Sequence, residues 1–174
     1  MINSGIRAGE AVALQYSDFD LDAGTVRIHR NAVNVKERNA DGSATGKRNR
    51  TFTTPKTARS HTVLQLSPYA VQIIKDMRAL EPPGYDGYVV HSNHRPIAEK
   101  TLWQRFSKLL RGAGVQHTGL HSIRHTHGTK LYEATQDLKL VAQQLRHSDP
   151  SFTAKTYVHQ SDKRTKEILN DIKI

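Results

Sequence analysis

The first part of the chain changes from a helical to an alternating pattern of apolar residues. Val12 and Leu14 stand among small residues in a short helical pattern over 9–15, and a turn-rich connection follows over 16–24. From Thr25 to Val33 apolar and polar residues alternate, as they do in a half-buried strand. This stretch therefore predicts a short helix, a turn and a first strand.

Two further strands are predicted beyond a polar segment. The segment from Lys36 to Arg50 has no large apolar side chain and is rich in Asn, Gly, Ser, Lys and Arg, which is typical of a mobile hairpin tip or loop. The segments 51–55 and 61–66 have the composition of strands, and the turn that joins them carries Lys56. With the first strand, they predict a small antiparallel sheet.

The next segments have the spacing of helices. Ser67 as N-cap and Pro68 in the first turn predict a helix that ends at the segment 81–84, Glu-Pro-Pro-Gly. Its predicted buried face consists of Val71, Ile74, Met77 and Leu80. A second long helix, closed by Gly112 and Gly114, is predicted from an apolar stripe of Leu102, Trp103, Phe106, Leu109 and Leu110.

The remainder of the chain is predicted to be almost entirely helical. Helices are expected at about 121–133, 138–146, 150–158 and 162–173, and the last has an apolar face that includes Ile168, Leu169 and Ile172. We find no internal repeat and no second core. The pattern predicts one α+β domain, mainly helical, with a small three-stranded antiparallel sheet.

Charge narrows the range of partners. The 174 residues carry 26 Lys+Arg against 16 Asp+Glu, a net charge of +10, and this excess favours a polyanion such as nucleic acid. The absence of cysteine excludes disulfides, thiolate nucleophiles and cysteine zinc sites. The sequence has neither an apolar run as long as a membrane span nor the apolar segment of a signal peptide.

Candidate chemistry is concentrated in the last third of the chain. His121 and Arg124 are three residues apart, so a helix would place them side by side. His147 follows, and Tyr157 comes ten residues after it. A guanidinium suits phosphate oxygens, and a phenol can attack a phosphodiester when cations or a base lower its pKa. Each residue alone is more often solvated or structural.

Two cations from the first third could join this group. Arg7 precedes the first predicted helix, where an arginine makes a sound phosphate site, although a plain pair with Glu10 is the simpler interpretation. Lys56 lies in a turn from which it could protonate a leaving oxygen. The sequence shows no carboxylate cluster for a metal and no Walker-type phosphate loop, so we predict neither metal nor cofactor.

Four segments together resemble the catalytic domain of the tyrosine recombinases, the phage-integrase family. Residues 4–10, Ser-Gly-Ile-Arg-Ala-Gly-Glu, are similar to the family's first-arginine box, and 54–57, Thr-Pro-Lys-Thr, to its lysine hairpin. Residues 120–127 resemble its HxxR box, and 145–148 through Tyr157 resemble its closing box. The order and spacing of the four are specific, although each alone is weak.

The resemblance implies a role for each matching residue. Tyr157 would attack the scissile phosphate and leave a 3′-phosphotyrosine, while Arg7 and Arg124 hold the non-bridging oxygens. Lys56 would protonate the departing 5′-oxygen. His121 would accept or relay the tyrosine proton, and His147 would hydrogen-bond the phosphate. Glu10 would support the Arg7 region.

The resemblance also implies a setting. The partner would be double-stranded DNA at attachment sites, bound by a homo-tetramer that is monomeric when free, with no membrane involved. We expect residues 1–174 to form a single catalytic domain, with the N-terminal core-binding and arm-binding domains absent. The expected location is the cytoplasm, at the nucleoid, of a protein encoded by a bacterium or a phage.

One departure and three alternatives stay open. Arg146 stands where the family usually has Gly, so either the turn differs locally or Arg146 contacts phosphate. The chain could instead be a catalytically decayed, DNA-binding integrase relic, or a type IB topoisomerase. A zinc hydrolase that uses three histidines is the third alternative: His121, His125 and His127.

Overall fold

A computed structural model describes residues 1–53, 62–116 and 119–147. Within these ranges there are five α-helices: α1 Ala8–Ala11, α2 Pro68–Ala79, α3 Glu99–Gly112, α4 Leu120–Thr135 and α5 Leu138–Leu145. The strands in the same ranges are β1 Phe19–Asp20, β2 Thr25–Ile28, β3 Asn31–Arg38, β4 Ala44–Thr53, β5 Thr62–Gln65, β6 His91–Ser92 and β7 Arg95–Pro96. The predicted α+β class is confirmed.

A three-stranded antiparallel sheet lies under helix α2 and carries the main core. The strand order is β1-β2-β5, and Val26 of β2 is paired with Leu64 of β5. Both side chains point into a core that also contains Ile6, Leu14 and Tyr16 from the start of the chain. A small antiparallel sheet of three strands is present as predicted, but its third strand is β1 rather than the segment 51–55. Its core anchors the segment that leads into α1.

The segment predicted as a hairpin tip or loop is the end of a long hairpin. Strands β3 and β4 are paired antiparallel from Asn31 with Thr53 to Arg38 with Ala44, so the hairpin tip is present but most of the segment 36–50 is strand. The extent of the strands was not predicted, because polar, charged strands have no apolar alternation, while a two-stranded hairpin is held chiefly by its main-chain hydrogen bonds. The predicted partner of the 51–55 strand was wrong, since β4 pairs with β3 and β5 pairs with β2.

The connection from the sheet to the hairpin is held by a buried carboxylate. Asp18 accepts hydrogen bonds from His29 at 2.6 Å, from Arg30 at 2.5 Å and from the main-chain N–H of Gln15 at 2.8 Å. These bonds secure the corner at which β2 gives way to β3. The hairpin therefore leaves the sheet beside α1, which packs against β3.

Helix α2 begins where the sequence predicted. The Ser67 hydroxyl accepts the N–H of Ala70 at 3.2 Å, and Pro68 occupies the first turn, where its missing N–H is harmless. Val71, Ile74 and Met77 pack against the main core as expected. Leu80 does not, because the helix ends at Ala79 and leaves Leu80 87% exposed.

Helix α3 buries less of its apolar stripe than predicted. Leu102 packs against a small cluster formed by Val12, Ala32 and Ile97. Leu109 is 72% exposed, and Trp103 is also exposed. The apolar stripe predicted the helix correctly. It did not predict which of the stripe residues are covered by other described segments.

Helices α4 and α5 pack together around a third cluster. Val141 and Leu145 are fully buried there, with Leu131, Tyr132 and Leu138 packed around them. The predicted helices 121–133 and 138–146 are confirmed within one or two residues. The predicted helices 150–158 and 162–173 lie outside the described residues.

Two smaller features complete the description. Helix α1 spans only Ala8–Ala11, whereas a helix was predicted over 9–15. The β6–β7 hairpin was not predicted from the sequence. The Arg50 guanidinium donates to the Pro96 carbonyl at 2.7 Å, which ties the long hairpin to this second one.

Among the helices that the structure describes, none combines the length and the apolar character needed to cross a bilayer.

Candidate active site

A cavity of about 560 Å³ lies where α1, the start of α3 and the start of α4 meet. Arg7, His121 and Arg124 line it, and each was predicted as a site residue. The polar lining also includes Asn31, Glu99 and Lys100, which carried no motif signal in the sequence. Residues from both ends of the described chain thus meet around one open, positively charged space.

Close packing of α1 on β3 shapes one wall of this cavity. A Cβ at Gly9 would lie 2.4 Å from Oδ1 of Asn31 and 2.8 Å from the carbonyl oxygen of Ala32, distances that no side chain tolerates. Gly9 therefore lets the helix approach the strand. That approach brings Arg7, immediately before α1, to the cavity rim.

Arg7 is held by Glu10 at the start of α1. The main-chain N–H of Arg7 donates to Oε2 of Glu10 at 2.7 Å, and Nη1 of Arg7 donates to Oε1 of Glu10 at 3.0 Å. The Glu10 carboxylate is buried, whereas the Arg7 guanidinium is almost half exposed. The carboxylate orients the arginine and leaves part of its guanidinium open to the cavity. The pair with Glu10 anticipated from the sequence is present.

Arg124 is held by main-chain carbonyls and is only 3% exposed. Its Nη1 donates to the Gly5 carbonyl at 2.6 Å, and its Nη2 donates to the Leu145 carbonyl. Guanidinium groups stay charged under all ordinary conditions, so burial requires acceptors of this kind. Arg124 therefore ties α4 to the segment before α1 and to the end of α5.

The turn after α5 brings the two arginines together. Nη2 of Arg124 donates to the carbonyl of Leu145, and Nη2 of Arg7 donates to the next carbonyl, that of Arg146, at 3.1 Å. Carbonyls at a helix C-terminus lack partners within the helix. Here two arginines from distant parts of the sequence occupy consecutive carbonyls, so their guanidiniums lie close together.

Arg146 takes the conformation that a glycine would have at this position. Its φ of 53° and ψ of 49° are left-handed, and the His147 N–H donates to the Ala142 carbonyl at 3.0 Å as in a Schellman motif. Its Nη2 pairs with Oε2 of Glu10 at 2.5 Å. The turn therefore keeps its usual shape rather than differing locally, and the Arg146 side chain contacts a carboxylate.

His147 lies beside the arginines. Its pKa falls from 6.5 to about 4, chiefly because the ring is partly buried. The further causes are electrostatic interactions with four neighbours: Arg124, Arg7, His121 and His125. These interactions place both predicted histidines, His121 and His147, in the same electropositive region as the two arginines. His147 is neutral at pH 7.

The pKa of the Glu10 carboxylate is also lowered, which keeps this group charged. Burial raises its pKa, but the charge and hydrogen bond of Arg146, followed by the main-chain bond and charge of Arg7, outweigh burial and bring the pKa below its usual value. Glu10 therefore stays ionised at neutral pH between its two arginine partners. It is too firmly paired to act as an acid or a base.

Two predicted site residues lie outside the described residues. They are Lys56 and Tyr157. Of the six predicted catalytic residues, the structure brings together Arg7, His121, Arg124 and His147 around the cavity and the turn after α5.

The three histidines of the zinc alternative do not form a common site. His127 donates from Nδ1 to the Ile2 carbonyl at 2.8 Å and packs beside Gly5. Among the described residues, the one group of three ligands close enough for a metal lies elsewhere: Glu81, His91 and His94. There His91 accepts the His94 N–H at 3.2 Å and donates to Glu81 at 2.7 Å, so both ring nitrogens are used.

Comparison with known proteins gives a consistent result. The model of the phage integrase family matches residues 1–164. A tyrosine recombinase XerC-like protein of Caldanaerobacter subterraneus subsp. tengcongensis is 29% identical over 97% of this chain and 47% of its own length. Transposase A of transposon Tn554 from Staphylococcus aureus is 26% identical over 98% of this chain and 44% of its own length.

The fold has counterparts among solved structures. The integrase of transposon Tn1549, solved in complex with circular intermediate DNA, superimposes with a TM-score of 0.71 at 19% identity. The match covers 97% of this chain and 57% of the chain in that solved structure. At this identity the match confirms the predicted fold, the catalytic-domain fold of tyrosine recombinases. The chain spans about half the length of the curated relatives described above.

Proposed function

The chain belongs to the phage integrase family, and from that premise we propose that it cuts and rejoins double-stranded DNA in site-specific recombination. The observation that carries the proposal is the pair of guanidiniums on consecutive carbonyls beside one cavity, Arg7 at Arg146 and Arg124 at Leu145. A phosphodiester is a singly charged anion with two non-bridging oxygens. Two adjacent planar cations suit that shape and stabilise the added charge of a pentacoordinate phosphorus.

The proposed reaction conserves the energy of the phosphodiester. The Tyr157 oxygen attacks phosphorus, a phosphotyrosine bond forms, and the bond from phosphorus to the 5′-oxygen breaks. His121 takes the tyrosine proton, and Lys56 gives a proton to the departing 5′-oxygen. Rejoining reverses these steps, so no ATP is required, and the two arginines supply the charge that a metal would supply elsewhere. The roles of Tyr157 and Lys56 rest on their place in the family's motifs.

His147 acts in this proposal as a neutral hydrogen-bond donor. Its lowered pKa of about 4 means that it adds no charge at pH 7. A neutral imidazole can still donate one N–H to a phosphate oxygen. The charge on the phosphate is then balanced by the arginines, while the hydrogen bond from the histidine orients the phosphate.

The wider setting belongs to the same proposal. Residues 1–174 form a single catalytic domain that acts on duplex DNA at attachment sites. Protomers assemble as a tetramer on DNA and separate when free of it. A DNA substrate of this kind places the protein at the nucleoid of a bacterial cell or on the DNA of a mobile element.

Trapping of a covalent adduct tests the nucleophile. The full-length protein is incubated with a duplex that carries its crossover site and a nick next to the scissile phosphate, so that the released fragment diffuses away. We expect a denaturation-resistant protein–DNA adduct in the presence of EDTA. Tyr157→Phe should give none, because the phenol oxygen is the attacking atom, and Tyr69→Phe, exposed on α2, should match the wild type.

Two results would count against the proposal. An adduct that persists in Tyr157→Phe would assign the nucleophile to another residue. The complete absence of an adduct, together with sequence-specific binding of the same duplex, would instead support the DNA-binding relic that does not cleave.

A further inference from the structure

We infer that Arg146 is a positioning residue that holds both active-site arginines in place and preserves the positive charge that Arg7 presents to a phosphate. Its main chain and its side chain serve separate parts of this role. The contact geometry stands on its own, and the catalytic consequence rests on the function proposed above.

The main chain of Arg146 aims two carbonyls at the arginines. Its left-handed conformation, with φ 53° and ψ 49°, ends α5 abruptly. Because α5 ends there, the carbonyls of Leu145 and Arg146 accept from Arg124 and Arg7 rather than from a further turn of α5. The turn thus sets the distance between the two guanidiniums.

The side chain of Arg146 closes a ring with Arg7 through Glu10. Nη2 of Arg146 contacts Oε2 of Glu10 at 2.5 Å, and the same oxygen accepts the Arg7 N–H at 2.7 Å. The other carboxylate oxygen accepts Nη1 of Arg7 at 3.0 Å, and Nη2 of Arg7 returns to the Arg146 carbonyl at 3.1 Å. Residues 139 positions apart in the sequence are therefore linked in a closed circuit.

Charge gives this circuit its functional meaning. Arg7 and Glu10 alone would cancel, one positive charge against one negative charge. With Arg146 added, the three groups carry two positive charges and one negative charge, a net charge of +1. Because the side chains of Arg146 and Glu10 are only 10% and 9% exposed, water screens this interaction weakly. Arg146 thus offsets the negative charge of the Glu10 carboxylate, which orients Arg7. The positive charge of Arg7 can therefore still attract an anion.

Arg146 works through Glu10 and Arg7 rather than on the phosphate itself. It is absent from the described residues that line the cavity, and its inner nitrogen Nε is buried as well. Local preference would favour glycine in this left-handed position, where any side chain is strained. The arginine is therefore explained by its contact with Glu10 rather than by the turn.

Three variants separate the side chain from the strain of the turn. Arg146→Gly removes the guanidinium and relieves the left-handed position, while Arg146→Lys keeps a positive charge. Gln136→Gly is the matched control, because Gln136 ends α4 with the same φ of 53° and lies outside the circuit. All three are made in the full-length protein, and thermal melting confirms that each is folded.

Single-turnover adduct formation on the nicked duplex measures the functional effect. We expect Arg146→Gly to slow the reaction by at least about tenfold, Arg146→Lys to recover part of that loss, and Gln136→Gly to match the wild type. A second duplex carries an uncharged methylphosphonate at the scissile position. There the difference between Arg146→Gly and the wild type should shrink, since the phosphate no longer needs neutralisation.

Other results would overturn the inference. An Arg146→Gly rate equal to wild type would remove the positioning role, and an equal loss on both duplexes would reduce it to a structural one. A carbon-13 NMR titration of Glu10 supplies a readout without DNA, in which Arg146→Gly should raise the pKa of Glu10. If the wild type forms no adduct, the proposed function fails and this titration alone decides, an unchanged pKa refuting the contact.

Discussion

At the residue scale, Arg7 and Arg124 are each held in position with their positive charge preserved, but by different partners. Arg7 is oriented by the carboxylate of Glu10, which would neutralise it without Arg146. Arg124 is buried and oriented by the carbonyls of Gly5 and Leu145, whose dipoles hold a guanidinium without cancelling its charge. Both arrangements leave positive charge at the cavity, which is what an anionic transition state requires.

His147 gives a pH dependence whose sign follows from its lowered pKa. As the pH falls through 6.5, the unfolded chain takes up a proton at this residue, whereas the folded protein does so only near pH 4. The contribution of His147 to stability is therefore complete above about pH 6.5 and declines between there and about pH 4. His147→Gln should lose this part of the decline, as measured by urea unfolding at pH 7, 6 and 5.

A direct titration of the ring provides the control for that prediction. NMR of His147 in the wild type should show an apparent pKa well below 6.5. If the His147→Gln variant and the wild type have the same dependence of unfolding free energy on pH, the pKa of His147 is not lowered by burial and neighbouring charge as inferred.

At the scale of secondary structure, the segment before α1 packs between α4 and α5. This packing brings the three elements together at the site. Gly5 has a φ of 65°, and its carbonyl accepts from Arg124 on α4. Next to it lie the His127 ring from α4 and the Leu145 side chain from α5. This contact, rather than any strand pairing, places the first arginine box beside the closing box.

Substitution of Gly5 tests this three-way contact. A Cβ there would lie 2.7 Å from both His127 Cδ2 and Leu145 Cδ2, and the left-handed backbone adds strain. Gly5→Ala should reduce the free energy of unfolding by about 2–4 kcal/mol. Gly42→Ala is the matched control, since Gly42 has a φ of 84° with no atom within 4 Å, and should cost about 1 kcal/mol. Equal losses in urea unfolding would contradict the close packing.

At the scale of the whole molecule, a net charge of +10 is combined with an electropositive cavity among the described residues. The net charge favours any polyanion, whereas we propose that Arg7, His121 and Arg124 hold a phosphate at one place. Binding to DNA at this scale is governed by displacement of counterions from phosphates. Affinity and selectivity therefore come from different parts of the charge distribution.

Salt dependence tests the role of charge in the whole molecule. Binding to a 30-base-pair duplex of arbitrary sequence should weaken steeply as NaCl rises, with a slope of roughly −0.9 per phosphate contact. Arg7→Gln should reduce the slope by about one contact. Arg78→Gln is the control, because Arg78 pairs with Asp86 at 3.7 Å and lies over the Tyr16 ring. Affinity that does not change with salt in fluorescence anisotropy would refute phosphate contacts as the source of binding.

Local signals in the sequence predicted the elements that depend on neighbouring residues. The Ser67 cap predicted the start of α2, and α4 and α5 were predicted within one or two residues, because capping and helical spacing act within one or two turns. The same approach missed the full extent of the strands of the β3–β4 hairpin, whose polar sequence carries no alternation. It also failed to show that Leu80 and Leu109 would be exposed, since burial depends on which distant segment covers them.

By itself, the sequence determined the residue types, their order and the four motifs that indicate phosphodiester chemistry. Only the tertiary structure decided that Arg7 and Arg124 meet on consecutive carbonyls and that Arg146 reaches Glu10. The physical reason is that a motif records chemistry along the chain, whereas the partner of a buried charge is whichever acceptor the fold brings near. Glu10 and Arg146 are separated by 136 positions, and only the packing of the segment before α1 between α4 and α5 makes them neighbours.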